Sequence, residues 1–274
     1  MNLTPLSALL ARRERRGVDV NFDIPQDWMQ GRTSFGGLVS VFAVQAMRDI
    51  AGAAWPADVS LRAMQVNFIA PVGAGALAVA VQVLREGRNV RQVQASVRQG
   101  GETVALMIGV FGTPRQSTLR ALQPQRPAPA RRAEDLPAAK HVAGHRPNFV
   151  AHMDMRWAEG GPPFSATPGW RASIHLRLAD ADAAHIEPEL MTVLLADASP
   201  SPALSFFGQP SPASSVSWAL ELRPLNAEDT LHGHWRADNL VIAASDGYVN
   251  QQSTLWAPSG ALAALAYQVV TVYG

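Results

Sequence analysis

The sequence contains no cysteine and little charge. The absence of cysteine excludes structural disulfides, thiolate nucleophiles and thiolate metal sites. Charged residues make up 16% of the chain, and the formal net charge at pH 7 is +1. A charge balance this close to neutral gives no general case for binding nucleic acid or a membrane surface.

Long apolar runs and targeting patterns are also missing. No apolar run approaches the roughly 20 residues that a helix needs to span a bilayer. The segment that begins at Met1 lacks the basic-then-apolar pattern of a secretory signal. We therefore expect a cytoplasmic protein. Its 274 residues, 47% of them hydrophobic, suit two modest domains or one large one, with a sizeable core.

Two segments of the chain repeat one pattern. Residues 87–106 and 246–265 each read as two strands around a turn. The order of elements around both segments is also shared, which predicts a duplicated domain whose halves can diverge in function. With a constant shift of 159, the identical pairs are Val90 and Val249, Gln92 and Gln251, Gly101 and Gly260, and Leu106 and Leu265.

The first copy begins with a strand and a helix. Residues 18–22 alternate like a strand, and a polar stretch with glycines leads into an apolar segment from Leu38 to Ile50. This segment contains neither proline nor glycine, and its length favours a buried helix over a strand. Turn signals then separate four further predicted strands. They are residues 61–70, 76–85, 90–99 and 103–111.

The second copy repeats this order of elements. Pro188 can occupy the first turn of a helix that continues to about Ala198, and Pro200 ends that helix. Turn residues punctuate the strands that follow it. The predicted strands are residues 148–157 and 171–179 before the helix, and 214–222, 231–242, 247–255 and 262–272 after it.

Composition changes between the two copies. From Thr113 to about Pro147, prolines stand among arginine, glutamine and alanine, which is typical of an exposed connector with at most one short helix. The arginines of this connector are expected to be solvated. We therefore divide the chain into an N-terminal domain at 1–113, a linker at 114–147 and a C-terminal domain at 148–274.

A long apolar helix beside an antiparallel sheet has one economical arrangement. The sheet curls around the helix and covers it on nearly every side. Two copies predict an α+β fold with two wrapped helices. One continuous sheet forms if edge strands pair across the halves, and that pairing also protects the edges from other chains.

Several segments together resemble a known family. Residues 34–39, which read SFGGLV, resemble the helix start of the acyl-CoA thioesterase II family, and residues 66–73 and 84–88 resemble later parts of it. Residues 260–268 resemble the family's last strand, which ends in a glutamine. The resemblance spans most of the chain outside the linker. It implies a double hotdog fold and hydrolysis of acyl-CoA thioesters without a metal, a cofactor or a covalent enzyme intermediate.

The resemblance also implies catalytic residues. In that family, an aspartate on the second half's helix, a hydroxyl residue on the following strand and a glutamine on the last strand hold the attacking water. Carried over by position, these are Asp197, Ser215 and Gln268, with Ser214 as the alternative hydroxyl. The aspartate–histidine pair that often follows the hydroxyl in the family is replaced here by Val216-Ser217-Trp218.

The chemistry of thioester hydrolysis asks for groups of this kind. A carboxylate within hydrogen-bond reach makes a water nucleophilic, and donors stabilise the oxyanion that develops on the carbonyl. Gly36 and Gly37 suit the second task, because free N–H groups and the positive end of the helix dipole point outward at a helix N-terminus. The open alternatives are a tight helix start for these glycines, a solvated carboxylate for Asp197 and a satisfied buried amide for Gln268.

The duplication predicts a division of labour. Counted from the helix starts, Gln45 matches Asp197, and the shift of 159 matches Gly109 with Gln268. The first half therefore lacks the carboxylate and the glutamine. We expect one water-holding set per chain, drawn mainly from the second half.

The first half is expected to bind the substrate. Phe35, Gly36 and Gly37 are predicted to bind the acyl group, and Arg88 is predicted to meet the CoA phosphates. The alternative for Arg88 is a solvated turn charge. Acyl-CoA is the expected partner, with neither nucleic acid nor a membrane. Hotdog proteins commonly associate through their sheets, so analogy gives a homodimer of this double unit as a further expectation.

Two rival functions belong to other classes. A hotdog hydratase or dehydratase acting on enoyl or hydroxyacyl thioesters would need a histidine paired with an aspartate around the helix start. The stretch from Met29 to Asp49 contains no histidine. A non-catalytic acyl-thioester or fatty-acid binding protein would fit if the serine at the hydroxyl position marks an inactive site.

Overall fold

A computed structural model describes residues 3–142, 144–180, 183–231 and 233–273. Within these ranges twelve strands form one continuous antiparallel sheet. Four α-helices occur in the same ranges, and none of them is long and apolar enough to cross a membrane. They are α1 (Leu6–Ala11), α2 (Gly36–Ile50), α3 (Pro188–Ala196) and α4 (Ala227–Thr230).

The strands follow the predicted order, with a short hairpin, β3–β4, standing apart from the large sheet. In the first half, β1 to β8 are Glu14–Arg16, Asp19–Ile24, Met29–Gln30, Thr33–Ser34, Ser60–Phe68, Gly75–Glu86, Val90–Gln99 and Glu102–Gly112. In the second half, β9 to β14 are Met153–Glu159, Arg171–Leu178, Ala213–Leu222, Trp235–Ser245, Tyr248–Trp256 and Leu262–Val272.

The two halves share one topology. From edge to centre, the first half runs β1-β2-β6-β7-β8-β5 and the second runs β9-β10-β12-β13-β14-β11. The central strands β5 and β11 pair antiparallel, with Asn67 opposite Ser217 and Ala63 opposite Glu221. The predicted pairing across the halves is therefore confirmed. It joins two edges that would otherwise be open to other chains.

Each half of the sheet wraps one helix. Ten residues of α2 are buried, because almost its whole surface is apolar and the sheet covers it on most sides. In α3, every residue from Leu190 to Leu195 is buried. The α+β architecture with two wrapped helices is confirmed, and Pro188 opens α3 as predicted.

The two helices lie antiparallel, so each start meets the other's end. Gly36 and Gly37 at the start of α2 face Asp197, which follows the last turn of α3. At the opposite junction, Arg48 of α2 pairs with Glu189 in the first turn of α3, with an Nη2–Oε2 distance of 2.5 Å. One junction is therefore closed by an ion pair, while the other joins two glycines and a carboxylate.

The structure corrects the register of the repeat between β7 and β13. Gln268 lies opposite Gln251, whereas its counterpart Gly109 lies opposite Val93. The position of Gln251 is therefore matched by Val93 and not by Gln92. The reason is one extra residue in the second half: 17 positions separate Gln251 from Gln268, and 16 separate Val93 from Gly109. A slip of one residue exchanges the two faces of a strand, and Gln92 is exposed while Gln251 is buried.

Two predicted strands begin later than expected. Asn148–His152 is a 3₁₀ turn, and β9 starts only at Met153. Contacts with the first half hold this turn off the sheet, because Phe149 stacks on Phe35 with ring centroids 4.2 Å apart. The strand predicted from residue 231 begins at Trp235, because a capping box between Asn226 and Asp229 starts α4 just before it.

The linker is held more firmly than predicted. Arg126 is partly buried and donates to the carbonyl of Ala257, so the expectation that it is merely solvated is wrong. Arg131 is exposed as expected, and it also donates to the carbonyl of Trp157. In return, side chains on the outer face of the second half's sheet bind linker carbonyls. These bonds join Arg236 to Pro127, His175 to Arg131, and Arg156 to Ala133.

Candidate active site

Two side chains of the second half converge on the amide of a third. Gln268 on β14 donates from Nε2 to Asp197 Oδ1 at 3.1 Å and to Ser215 Oγ at 2.6 Å. Asp197 caps the end of α3, and Ser215 lies on β11, which neighbours β14. The structure thus brings the three predicted catalytic residues together.

A β-bulge sets the position of Ser215. The ladder between β11 and β14 pairs Ser215 with Val270 and Ser217 with Val269, which leaves Val216 without a partner. Bulges of this kind turn a side chain to a new direction. Ser214 is exposed, and its hydroxyl reaches only the carbonyl of Ser215. Of the two candidate hydroxyls, it is therefore Ser215 that faces Gln268.

Asp197 lies in surroundings that shift the pKa of its carboxyl group. Part of the residue reaches the surface, but its carboxylate end is enclosed, and this burial raises the pKa of Asp197 to about 7. Hydrogen bonds from the Gln268 side chain and the Gly37 N–H act in the opposite direction and lower the pKa. A carboxyl group that titrates near neutral pH is suited to accept a proton in a reaction at that pH.

Two glycines allow the helix start to approach this carboxylate. A β-carbon at Gly36 would lie 2.9 Å from Asp197 Oδ2 and 3.0 Å from the Phe68 ring. One at Gly37 would overlap the Phe35 ring and lie 2.9 Å from the Leu194 carbonyl oxygen. The N–H groups of a first helical turn lack intrahelical acceptors, and the helix dipole is positive there. The N–H of Gly37 donates to Asp197, so the first half supplies a donor to the carboxylate of the second.

We expect Gly37→Ala to destabilise the protein. The added methyl group would overlap Phe35 and crowd the Leu194 carbonyl, and overpacking of this kind costs about 1–3 kcal/mol. The matched control is Gly208→Ala, whose β-carbon would meet its nearest neighbour at 3.7 Å. Urea unfolding of both variants measures the difference. Equal free energies of unfolding would show that the helix start has room for a side chain.

The ring of Phe35 packs against Gly37 at the start of α2. It is fully buried and stacked on Phe149, so it supports Gly37 and offers no surface to a ligand. Phe68, which was not predicted, lies with its ring against Gly36. The signal for Phe68 was its position at the end of the inward-facing row of β5, after Met64 and Val66.

Arg88 lies away from the cluster. It occupies the turn between β6 and β7, beside a surface depression of about 400 Å³ that Arg85 and Arg115 also line. The neighbouring Glu86 accepts a hydrogen bond from Trp55, which follows the C-terminal end of α2. Asp197 faces the other end of α2, about 20 Å away for a helix of this length. The structure does not bring Arg88 to the three catalytic candidates.

Gln251 is a neighbour of the site that the sequence did not single out. Its Nε2 donates to Gln268 Oε1 at 2.8 Å, and the residue is 3% exposed. The signal was its place in the inward-facing row of β13 between Val249 and Leu255, both buried. The one-residue slip in the repeat matched it with the exposed Gln92 and concealed that row.

The first half carries no counterpart of this polar set in the described ranges. Leu61 precedes a bulge in β5 as Ser215 does in β11, because the ladder to β8 pairs Leu61 with Phe111 and Ala63 with Val110. A β-carbon at Gly109 would lie 2.8 Å from Met47 Sδ, so that position is filled by an apolar side chain. The equivalent positions are Gln45 for Asp197, Leu61 for Ser215, Val93 for Gln251 and Gly109 for Gln268.

Two family models match the chain. The acyl-CoA thioesterase N-terminal domain matches residues 24–112, and the acyl-CoA thioesterase C-terminal domain matches residues 125–272. The chain belongs to the acyl-CoA thioesterase family. The resemblance in the helix start and the last strand is thereby confirmed, and the two matches cover the two halves of this thioesterase-family chain.

Solved structures share the fold of this thioesterase-family chain. A conserved protein of unknown function with a hot dog fold from Alicyclobacillus acidocaldarius is 19% identical, with a TM-score of 0.78 and 99% of each chain covered. The tesB protein of Mycobacterium avium subs paratuberculosis is 16% identical, with a TM-score of 0.74 and 98% of each chain covered. The acyl-CoA thioesterase II TesB2 of Mycobacterium marinum is 15% identical, with a TM-score of 0.70 and 96% coverage of each. These likenesses show the double hotdog fold. No curated protein matches the chain.

Proposed function

We propose that the protein hydrolyses acyl-CoA thioesters to the free acid and CoA. The observation that carries the proposal is the convergence of Asp197 and Ser215 on the Gln268 amide, beside the N-terminus of α2. Membership of the acyl-CoA thioesterase family supports the thioester as the substrate class. A carboxylate and a water molecule suffice for this reaction without a covalent enzyme intermediate.

The first step is the attack of water. The ionised Asp197 carboxylate accepts a proton from the water, whose oxygen forms a bond to the thioester carbonyl carbon. Ser215 Oγ accepts a hydrogen bond from Gln268, so its own hydrogen is available to orient the water. Gln268 holds both groups with one NH₂, which fixes their separation before the substrate arrives.

The second step is the loss of the thiolate. The carbonyl oxygen has taken the negative charge when the water added. We assign the first-turn N–H of Gly36 as a donor to this oxyanion, since the helix dipole also favours an anion there. When the carbonyl re-forms, the C–S bond breaks. The proton held by Asp197 passes to the leaving sulfur, which gives the free acid and the CoA thiol.

A hydratase is less well supported. Asp27 and His152 do form a pair near the start of α2, with Oδ2 and Nε2 3.2 Å apart. Both are buried at 5% and 3% exposure, and Trp28 stacks on His152 with centroids 4.0 Å apart. The backbone N–H of Thr4 also donates to Asp27. A pair that is enclosed and bonded in this way is suited to joining the two halves, not to meeting a substrate.

Thiol release from a panel of acyl-CoAs of different chain lengths tests the proposal. We expect at least one substrate to give a stoichiometric thiol and free acid, detected with a thiol reagent and by mass spectrometry. Loss of enoyl absorbance without thiol release would identify a hydratase instead. Tight binding without either signal would identify a binding protein. Either of these results would reject the hydrolase.

A further inference from the structure

Gln251 and Gln268 form a pair of amides on the inner face of the sheet. They lie directly opposite each other in the ladder between β13 and β14. Gln251 Nε2 donates to Gln268 Oε1 at 2.8 Å. Because the oxygen of Gln268 is engaged in this bond, its nitrogen is the end left to donate to Asp197 and Ser215.

The orientation of the Gln268 amide decides what Asp197 meets. A side-chain amide has nearly the same shape after a half turn, but its donor and acceptor ends exchange places. An ionised carboxylate can only accept hydrogen bonds. In the turned state, the oxygen of Gln268 would face the Asp197 carboxylate, and the two would repel each other. A donor beside Gln268 Oε1, which Gln251 provides, favours the productive state.

The packing of Gln251 gives no structural reason for an amide at this position. Gln251 is 3% exposed, and its Oε1 finds no hydrogen-bond partner among the residues that the structure describes. A buried acceptor without a partner costs free energy. Val93 at the equivalent position of the first half is fully buried and apolar, so the fold accommodates an apolar side chain there.

The two halves of the chain differ at both glutamine positions. The half that holds Asp197 and Gln268 also holds Gln251, whereas the half with Gly109 in place of Gln268 has Val93 in place of Gln251. The two glutamines are therefore present together or replaced together within one molecule. This is the pattern expected when the second amide serves the first.

We propose that Gln251 is a positioning residue for the hydrolysis proposed above, holding the Gln268 amide with its nitrogen toward Asp197 and Ser215. Gln251 acts through Gln268 and does not itself touch the substrate. Its effect is expected in kcat, since the orientation of the water-holding groups matters in the transition state, while the acyl-CoA is bound by other parts of the protein.

The decisive variant is Gln251→Met, which keeps the length of the side chain and removes the amide. We expect kcat to fall about 10- to 100-fold, as for other small losses of alignment in active sites, with KM changed less than about twofold. The melting temperature should stay the same or rise, because an unpartnered buried oxygen is removed. The control is Gln252→Met, on the same strand but facing the outer side of the sheet.

A second variant, Gln251→Glu, is expected to have a larger effect. A carboxylate at this position can only accept, so it would draw the nitrogen of Gln268 away from Asp197. At pH 8 we expect a larger loss of kcat than in Gln251→Met, about 100-fold or more. Gln252→Glu, which adds the same charge on the outer face, should retain wild-type kcat. A kcat within twofold of wild type in both variants at position 251 would overturn the proposal, as would a loss of kcat that only follows a loss of folded protein.

A second readout separates this proposal from the hydrolase itself. If the wild-type protein releases no thiol from any acyl-CoA, the proposed function fails. The orientation of the Gln268 amide can still be tested by carbon-13 NMR titration of the Asp197 carboxyl group. We expect Gln251→Met to raise the pKa of Asp197, because a donor to its carboxylate is less well held. An unchanged titration in Gln251→Met, matching that of Gln252→Met, would show that Gln251 does not orient Gln268.

Discussion

Replacing Asp197 with asparagine is expected to lower kcat for acyl-CoA hydrolysis by about 10²- to 10⁴-fold. Asparagine keeps the size of the side chain and can still accept the hydrogen bond from Gln268, but it cannot take a proton from water. The measurement is the rate of thiol release at saturating substrate. The matched control is Glu187→Gln, which removes an exposed carboxylate at the other end of α3.

The pH dependence of the rate identifies the group. Because the base form of Asp197 is the active one and its pKa is about 7, wild-type kcat should rise with pH and level off above about pH 8. The residual rate of Asp197→Asn should lack this rise. A variant that keeps more than a tenth of wild-type kcat would remove Asp197 from the mechanism, whatever its pH profile.

The same carboxylate should make the protein less stable as pH rises. Its pKa in the folded protein, about 7, lies above its ordinary value of 3.8, so the folded state holds the proton more tightly than the unfolded state. Stability from this group is therefore present below about pH 4 and is lost as pH rises to about 7. The loss amounts to about 2–4 kcal/mol, allowing for the part of Asp197 that reaches water.

Urea unfolding of wild type and Asp197→Asn between pH 4 and pH 8 measures this loss. Other titrating groups are common to both proteins and cancel in the difference. We expect the stability of the variant relative to wild type to increase through the interval from pH 4 to pH 7 and then to level off. A difference that stays constant over the interval would mean that the carboxylate is solvated in the folded protein.

Activity and stability therefore depend on Asp197 in opposite ways. The ionised form is the base of the proposed reaction, and it is also the form that burial disfavours. The bonds from Gln268 and Gly37 recover part of this cost without supplying a compensating charge. A cation in their place would lower the pKa of Asp197 further, and the carboxylate would become a weaker base.

Much of the fold could be predicted because its signals are local. The uninterrupted apolar segment after Gly37 marks α2, and Pro188 marks the first turn of α3. The bounds of β7 and β14 agree with the predicted ones. The errors arose where contacts between residues far apart in the sequence determine the local structure. The turn at Asn148–His152 is held by the first half through Phe149, and no local pattern reveals that contact.

The site was less predictable than the fold. Asp197 and Gln268 followed from the resemblance, but the choice of Ser215 over Ser214 depends on a bulge in β11 that propensity does not show. Gln251 was hidden by a register that differs by one residue between the two copies. Arg88 lies toward the opposite end of α2 from Asp197, and its contact with the CoA phosphates stays a prediction.

The antiparallel helices have a consequence for the history of the protein. A symmetric ancestor of two identical chains would have had two equal helix junctions, whereas here one is an ion pair of Arg48 and Glu189 and the other joins Gly37 to Asp197. A homodimer built from either half alone would therefore lack one side of the contact between Gly37 and Asp197.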